Sequence, residues 1–380
     1  MKLLVVGHTY ITAFAQAKYV AMKSLRNDFA VRLVVPPVVR HSFNAYRPEL
    51  AAGLVPEELV VIKSFGGSSN MTYALDPVAL GALMRRFAPT HVHIEEDPHS
   101  LAGFETAWLA ARLCPNATLS FFIWDNLNRT PRFPLNVVKR RLMHYGLTHA
   151  RLVICGNEEG RGLLEAKGYR GASEVIPQVG LDPAMASERS VAGFAASDEH
   201  VPTIGFLGRL VEEKGVRDLL EALEPMRDLR WQLVMYGNGP LRGEIETRWK
   251  PRFGDRLILL DAIPHAEVQA ALARLDIFVL PSFGTSTWKE QFGLTLAQAM
   301  LAGCACIGSS SGAIPDVLAG QGLEFPERDV PALAARLRRL LTSRVESSRL
   351  GSAARRYALT QYTNDAIAGR YLSAFDAVAN

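Results

Sequence analysis

Short apolar runs separated by amphipathic stretches pattern the chain from end to end. Leu3 to Val6 is apolar and stops at Gly7, and residues 13 to 26 then repeat apolar positions at helical spacing. Similar runs fall at Val31 to Val35, Leu59 to Ile62, Val92 to Ile94, Leu119 to Ile123 and Leu152 to Cys155. Helical periodicity occupies the intervals near 76–87, 101–112, 136–146 and 157–167. Continuous apolar strands alternating with helices predict a parallel sheet covered on both faces.

The pattern breaks between residues 182 and 202, where Ala, Ser and charged residues lack periodicity and read as a linker. It then restarts. Strands are expected at Thr203 to Leu207, Leu233 to Tyr236, Leu257 to Leu260, Ile277 to Leu280 and Ala305 to Ile307. Helices are expected near 215–224, 240–248, 266–274, 293–302 and 329–341. A last amphipathic helix over 364–379 places Ile367, Tyr371, Leu372, Phe375 and Val378 on one side. The expectation is two α/β domains, over 1–182 and 200–361.

Composition adds little but excludes much. The 380 residues are 48% hydrophobic and 21% charged, the proportions of an ordinary globular protein. A net charge of +4 does not argue for nucleic acid. The four cysteines, Cys114, Cys155, Cys304 and Cys306, lack zinc-like spacing and read as free thiols of a reducing compartment. No apolar run approaches the roughly 18 residues of a membrane span. His8, Thr9, Tyr10 and Thr12 interrupt the only leader-like stretch, so Leu3 to Val6 is read as a strand and the expected location is cytoplasmic.

Candidate chemistry concentrates in the second half. The first strand there leads into Gly208-Arg209-Leu210-Val211-Glu212-Glu213-Lys214-Gly215. An Arg can grip an anion through two parallel hydrogen bonds and a Lys through a point charge. Tyr236-Gly237-Asn238-Gly239-Pro240 ends the next strand; it is either a plain tight turn or a close backbone approach to a ligand. Ile277 to Leu280 stops at Pro281, and a small polar loop then carries Trp288, Lys289 and Glu290 before a helix opens at Gly293. The amides of Gly293, Leu294 and Thr295 at that helix start suit a phosphate. Glu290 stands where it would touch something joined to that phosphate. A nucleotide-sugar presents this combination.

Glu290, Phe292, Gly293, Ala299, Met300, Gly303, Gly312 and Asp316, together with Gly208-Arg209-Leu210 and Lys214-Gly215, resemble the donor-site signature of family 4 retaining glycosyltransferases of the GT-B fold. The resemblance implies two Rossmann-like β/α/β domains facing a cleft, with a C-terminal helix (about 362–380) crossing back to the N-terminal domain. It implies that Arg209 and Lys214 stabilise a pyrophosphate and that Glu290 binds the donor sugar. Gly208, Gly237, Gly239, Phe292, Gly293, Leu294 and Thr295 would lie along the donor. The chain departs from the pattern at Gln298, where a second Glu would hold the ribose, and at Ala313, where a second Gly is usual. Gln298 then either accepts weaker ribose hydrogen bonds or faces the cleft without touching donor. No cofactor and no metal are implied.

The first half is expected to hold a glycan or lipid-linked acceptor. Strand ends face the crevice of an open α/β sheet, which nominates Gly7 and His8, Glu95 and Glu96, and Trp124 and Asp125. His8 is a cleft residue or an ordinary turn histidine. Residues 129–144 carry Arg129, Arg132, Lys139, Arg140 and Arg141, without an acid, interleaved with Phe133, Val137, Val138 and Leu142. Such a segment either lies on an anionic membrane surface, making the protein peripheral on its inner face, or is a solvated helix face. A nucleotide-sugar epimerase or hydrolase, and a non-catalytic nucleotide-sugar-binding protein, are the alternative functions.

Overall fold

The computed structural model describes residues 1–40, 45–67, 72–128, 135–185 and 200–379. The chain forms two compact units. One comprises Met1–Gly180 with Asn364–Asn380, and the other Leu181–Thr363.

Unit 1 is built on seven parallel strands: β1 (Lys2–Val6), β2 (Ala30–Val35), β3 (Leu59–Val61), β4 (His91–Ile94), β5 (Thr118–Ile123), β6 (Leu152–Cys155) and β7 (Ala172–Val175). Their spatial order is β7-β6-β5-β4-β1-β2-β3, so the order reverses between β1 and β4. Successive residues of β1 point to opposite faces. Leu4 and Val6 join a core with Leu80 and Met84 of the helix Pro77–Phe87. Leu3 and Val5 join a second core with Tyr19 and Met22 of the helix Ala13–Leu25.

That second core is completed from much later in the chain. The helix Asn364–Ala377 buries Ile367, Tyr371 and Phe375 in it. The chain leaves and re-enters unit 1 at one point. A Cβ on Gly180 would lie 2.6 Å from Asn364 Cα, so only glycine allows this approach. Two short antiparallel ribbons, Val39–Arg40 with Ala45–Tyr46 and Ser64–Gly66 with Tyr73–Leu75, are too brief to register in the hydrophobic pattern.

Unit 2 carries six parallel strands: β8 (Thr203–Leu207), β9 (Gln232–Tyr236), β10 (Leu257–Leu260), β11 (Ile277–Leu280), β12 (Ala305–Ser309) and β13 (Leu323–Phe325). The order β10-β9-β8-β11-β12-β13 reverses between β8 and β11. The helix expected near 240–248 is instead a wide π turn, Ile245–Trp249, between single α turns at Arg242–Glu244 and Lys250–Phe253. Pro251 would clash with the carbonyl four residues back in a regular helix, and the wider turn accommodates it while Trp249 is buried.

The helix Arg344–Gln361 has no counterpart in the hydrophobic pattern. Its buried face is made of small residues, Gly351, Ala354 and Ala358, with only Leu350 as a large apolar member. The small face serves close packing. A Cβ on Gly351 would lie 2.2 Å from Gly303 O, at the end of the helix Leu294–Ala302.

Candidate functional site

Ligands of open α/β sheets bind at the carboxyl ends of the strands where the order reverses. In unit 2 those ends are Leu207, leading to Gly208, and Leu280, leading to Pro281. The loop after β8 is zipped to the loop after β9. Leu210 N donates to Asn238 O at 2.9 Å, and Leu241 N donates to Leu210 O at 3.0 Å. A Cβ on Gly237 would lie 1.9 Å from Gly208 O, and one on Gly239 would lie 2.4 Å from Leu210 O. These two glycines are therefore required for loop-to-loop contact, which fixes the backbone around Arg209.

The same chain then makes a single 3-10 turn, Glu212–Lys214, and enters the helix Val216–Leu223 through Gly215 at φ +65°. A Cβ there would lie 1.9 Å from Pro281 O. Gly215 thus presses the Lys214 turn against the end of β11. Across that contact, Lys214 Nζ lies 2.6 Å from Glu290 Oε2, which also accepts from Ser282 Oγ at 3.1 Å. The Lys214 ammonium also stands 4.7 Å from the centroid of the Trp288 ring. Glu290 is buried, and its backbone is held from behind: Ala313 N donates to Glu290 O at 3.0 Å, and Gly312, at φ +54°, has no room for a Cβ. The helix Leu294–Ala302 follows Gly293, whose φ is +79°. The first amides of a helix have no intrahelical partner, and here they belong to Leu294 and Thr295.

Lys214, Glu290 and that helix start are thus gathered at one sheet end. Arg209 extends into solvent, 60% exposed, with Glu213 3.5 Å away. Gln298 is buried on the helix. Phe292 is buried with its ring edge-on to Tyr362. Ser282 and Trp288 are residues of this cluster to which the sequence assigns no role by itself, whereas Gly312 belongs to the resembling signature and here backs Glu290. The signal for Ser282 is a small polar residue directly after the strand-ending Pro281; for Trp288 there is none beyond its place in the loop.

In unit 1 the adjacent strand ends are Val6 and Ile94. Gly7 passes close to Glu95: a Cβ added to Gly7 would lie 3.0 Å from Glu95 Cβ. Glu96 Oε1 accepts from His8 N and Nδ1, both at 2.7 Å, and from Tyr73 OH at 2.5 Å. Burial would lower the His8 pKa, but Glu96, Asp97 and Glu95 outweigh it and raise it.

Glu95 departs from the expectation of an acceptor-facing position. Its side chain is wholly buried, as is that of Lys18, whose Nζ lies 2.8 Å away. Tyr19 OH donates to the same oxygen at 2.9 Å and Gln178 Nε2 to the other at 2.7 Å. The Lys18 ammonium also lies 4.0 Å from the Tyr371 ring centroid. Burial alone would raise the Glu95 pKa, but Lys18 and His93 hold it below the usual carboxylate range. Burial pushes Lys18 down to about 8 against the pull of Glu95. The physical reason is strand alternation: His93 and Glu95 point into the layer closed by the helix Asn364–Ala377, and Glu96 points the other way.

Trp124 is half-buried. Its Nε1 donates to Gln178 Oε1 at 3.0 Å. Asp125 accepts from Leu127 N at 3.2 Å. Nearby, Asp97 is pushed up to about 6 by burial and by repulsion from Asp125 and Glu96. The helix Leu135–His149 presents Arg140, Arg141, His144, Tyr145 and His149 along an open groove of about 560 Å³. Arg129, Arg132 and Phe133 of the expected basic segment, and 186–199 of the expected linker, lie outside the described residues. Among the described residues no group of three or more His, Cys, Asp or Glu side chains is placed to hold a metal ion. No helix of the described residues is long and apolar enough to cross a membrane. All four cysteines are free.

Comparison with known proteins agrees with this geometry. Residues 201–343 match the family described as Glycosyl transferases group 1. The chain is 30% identical over 139 residues to the 2-deoxystreptamine glucosyltransferase of Streptomyces kanamyceticus, covering 34% of each chain. It is 34% identical over 155 residues to the glycogen synthase of Mycobacterium tuberculosis, covering 40% of this chain and 36% of that one. The match thus spans about a third of the length of these relatives. Two solved structures share the fold over nearly the whole chain. Sucrose-phosphate synthase from Thermosynechococcus elongatus has a TM-score of 0.68 at 17% identity, covering 100% of this chain and 99% of that one. Anabaena HepE in complex with UDP has a TM-score of 0.69 at 15% identity, covering 99% and 100%. Residues 201–343 are thus similar to group 1 glycosyl transferases, and the chain as a whole has the GT-B fold of these solved structures.

Proposed function

We propose that the protein is a retaining glycosyltransferase that moves a sugar from a UDP- or GDP-sugar to a hydroxyl of a glycan or lipid-linked acceptor. The observation that carries this is the meeting of Lys214, Glu290 and the Gly293 helix start at the sheet reversal of unit 2. That HepE was solved with UDP and with UDP-glucose supports a nucleotide-sugar donor.

In this reading the donor diphosphate sits on the helix start and takes Lys214 and Arg209 as counter-charges. Charge grows on the diphosphate as the anomeric C–O bond breaks, and fixed cations there lower the barrier. Glu290 holds the sugar hydroxyls. The acceptor hydroxyl adds to the anomeric carbon on the face the diphosphate leaves, and the departing diphosphate oxygen takes its proton. No carboxylate nucleophile, cofactor or metal takes part. The basic groove of the helix Leu135–His149 supports contact with an anionic membrane surface on the cytoplasmic side.

Screening UDP- and GDP-sugars by thermal shift and product release tests the reading. A donor that stabilises the fold, stays intact without acceptor and is consumed with it fits a transferase. Rapid donor breakdown without acceptor indicates a hydrolase or epimerase. Nucleotide binding that survives loss of both Lys214 and Glu290 overturns the site.

A further inference from the structure

The ends of β1 and β2 in unit 1 border a cavity of about 220 Å³ that no part of the donor reading uses. His8 and Tyr73 line it, with Ser64 and the Gly66 backbone from one antiparallel ribbon and Val39 and Arg40 from the other. It is smaller than the roughly 300–1,000 Å³ of sites for drug-sized ligands, so it admits one sugar ring rather than an oligosaccharide.

The charged groups on this cavity's wall face different partners. The Glu96 side chain is 1% exposed, and one of its oxygens takes all three donors from His8 and Tyr73. Glu96 is thus turned toward His8 and Tyr73, and with Asp97 and Glu95 it raises the His8 pKa against the lowering by burial. Arg40 stands on the same lining, exposed and without an ion-pair partner among the described residues. A guanidinium on the wall of a small polar cavity selects a carboxylate or phosphate, which it grips through two parallel hydrogen bonds. Val39 gives the ring an apolar wall, and Ser64 and the Gly66 backbone give its hydroxyls polar partners.

We propose that this cavity is the acceptor subsite and that it takes a hexose bearing one anionic group, with Arg40 as the specificity-determining residue. The inference rests on the transferase reading above and names the acceptor class within it.

Calorimetric titration of the full chain, saturated with whichever of UDP and GDP it binds, tests it. Occupying the donor clamp with that nucleotide removes Arg209 and Lys214 as rival anion sites. The probes are glucose 6-phosphate, glucuronate and glucose. At least one charged sugar should bind tenfold or more tighter than glucose. R40Q should remove that preference, R40K should restore part of it, and R140Q/R141Q should leave it intact. Equal affinity for the charged sugars and glucose, no binding of any probe, or an R40Q variant that behaves as wild type overturns the proposal. Failure of the wild-type chain to bind either UDP or GDP in the preceding step strikes the donor reading instead, so the two failures are distinct.

Discussion

Lys214 Nζ lies 2.6 Å from Glu290 Oε2, although the two stand on separate loops that follow β8 and β11. The cation assigned to the diphosphate is thus paired with the carboxylate assigned to the sugar. Under the proposed function, donor binding would exchange partners: the diphosphate would take the ammonium and the sugar hydroxyls the carboxylate. Two substitutions separate these roles. K214A should lower turnover about 100- to 1,000-fold, the range for removing one stabiliser of developing charge. E290Q should also lose turnover, yet bind free UDP or GDP about three- to tenfold tighter, because Lys214 is released. Steady-state kinetics and nucleotide titration of both variants check this, and an E290Q variant that binds nucleotide more weakly contradicts it.

Gly312 tests whether the position of Glu290, rather than its presence, matters. A Cβ there would lie 2.2 Å from Glu290 O, at a φ of +54° that disfavours side chains. G312A must move the Glu290 backbone. A displacement of about 1 Å can cost about 100-fold in rate. The expected result is a 10- to 100-fold fall in kcat (order of magnitude) with the chain still folded by circular dichroism.

Gln298 replaces the second glutamate of the resembling family and is buried on the helix that starts at Gly293. Charge-assisted hydrogen bonds are about twice as strong as neutral ones. Q298E should tighten UDP or GDP binding several-fold and lower the melting temperature of the free protein, since a buried carboxylate without ligand is costly. Unchanged nucleotide affinity would remove Gln298 from the donor site.

The Lys18–Glu95 pair makes a stability prediction. Removing one partner of a buried ion pair leaves the other uncompensated and costs about 3–5 kcal/mol. K18M should show that loss in urea denaturation. Because Lys18 also lies on the Tyr371 ring, amide exchange in the helix Asn364–Ala377 should accelerate before the rest of unit 1 responds.

His99 gives a pH dependence. Burial, then repulsion from Lys139, pushes it down to about 4, although Asp125 pulls it up. Between pH 6.5 and about 4 the unfolded chain therefore binds a proton the folded chain refuses, and stability is lost as pH falls through that window. Asp97, pushed up to about 6, opposes this by gaining stability as pH falls below 6. H99Q removes only the loss. Its melting temperature relative to wild type should rise by about 2–6 °C between pH 7 and pH 5; a constant difference across that range contradicts the assignment.

The two-unit α/β plan was legible because strands buried on both faces leave uninterrupted apolar runs, as at Leu3 to Val6 and Ile277 to Leu280. The loops that bring Lys214 to Glu290 were legible because Gly215 and Gly293 mark turns at fixed spacing from them. Glu95 was misread because an acidic turn looks the same whether its partners are water or Lys18, 77 positions away. The helix Arg344–Gln361 escaped because Gly351, Ala354 and Ala358 produce almost no hydrophobic signal while packing most closely. Trp288 became meaningful only when the fold set Lys214 against it.

Unit 1 is discontinuous, and the helix that closes it is synthesised only after the whole of unit 2. Unit 2, though later in the chain, is whole first. The N-terminal sheet must wait with Tyr19, Lys18 and Met22 uncovered until residues 364–377 emerge from the ribosome to cover them. Chaperone demand during synthesis should therefore track the first half of the chain, and a premature stop just after Thr363 would leave a sound unit 2 attached to a unit 1 that cannot finish folding.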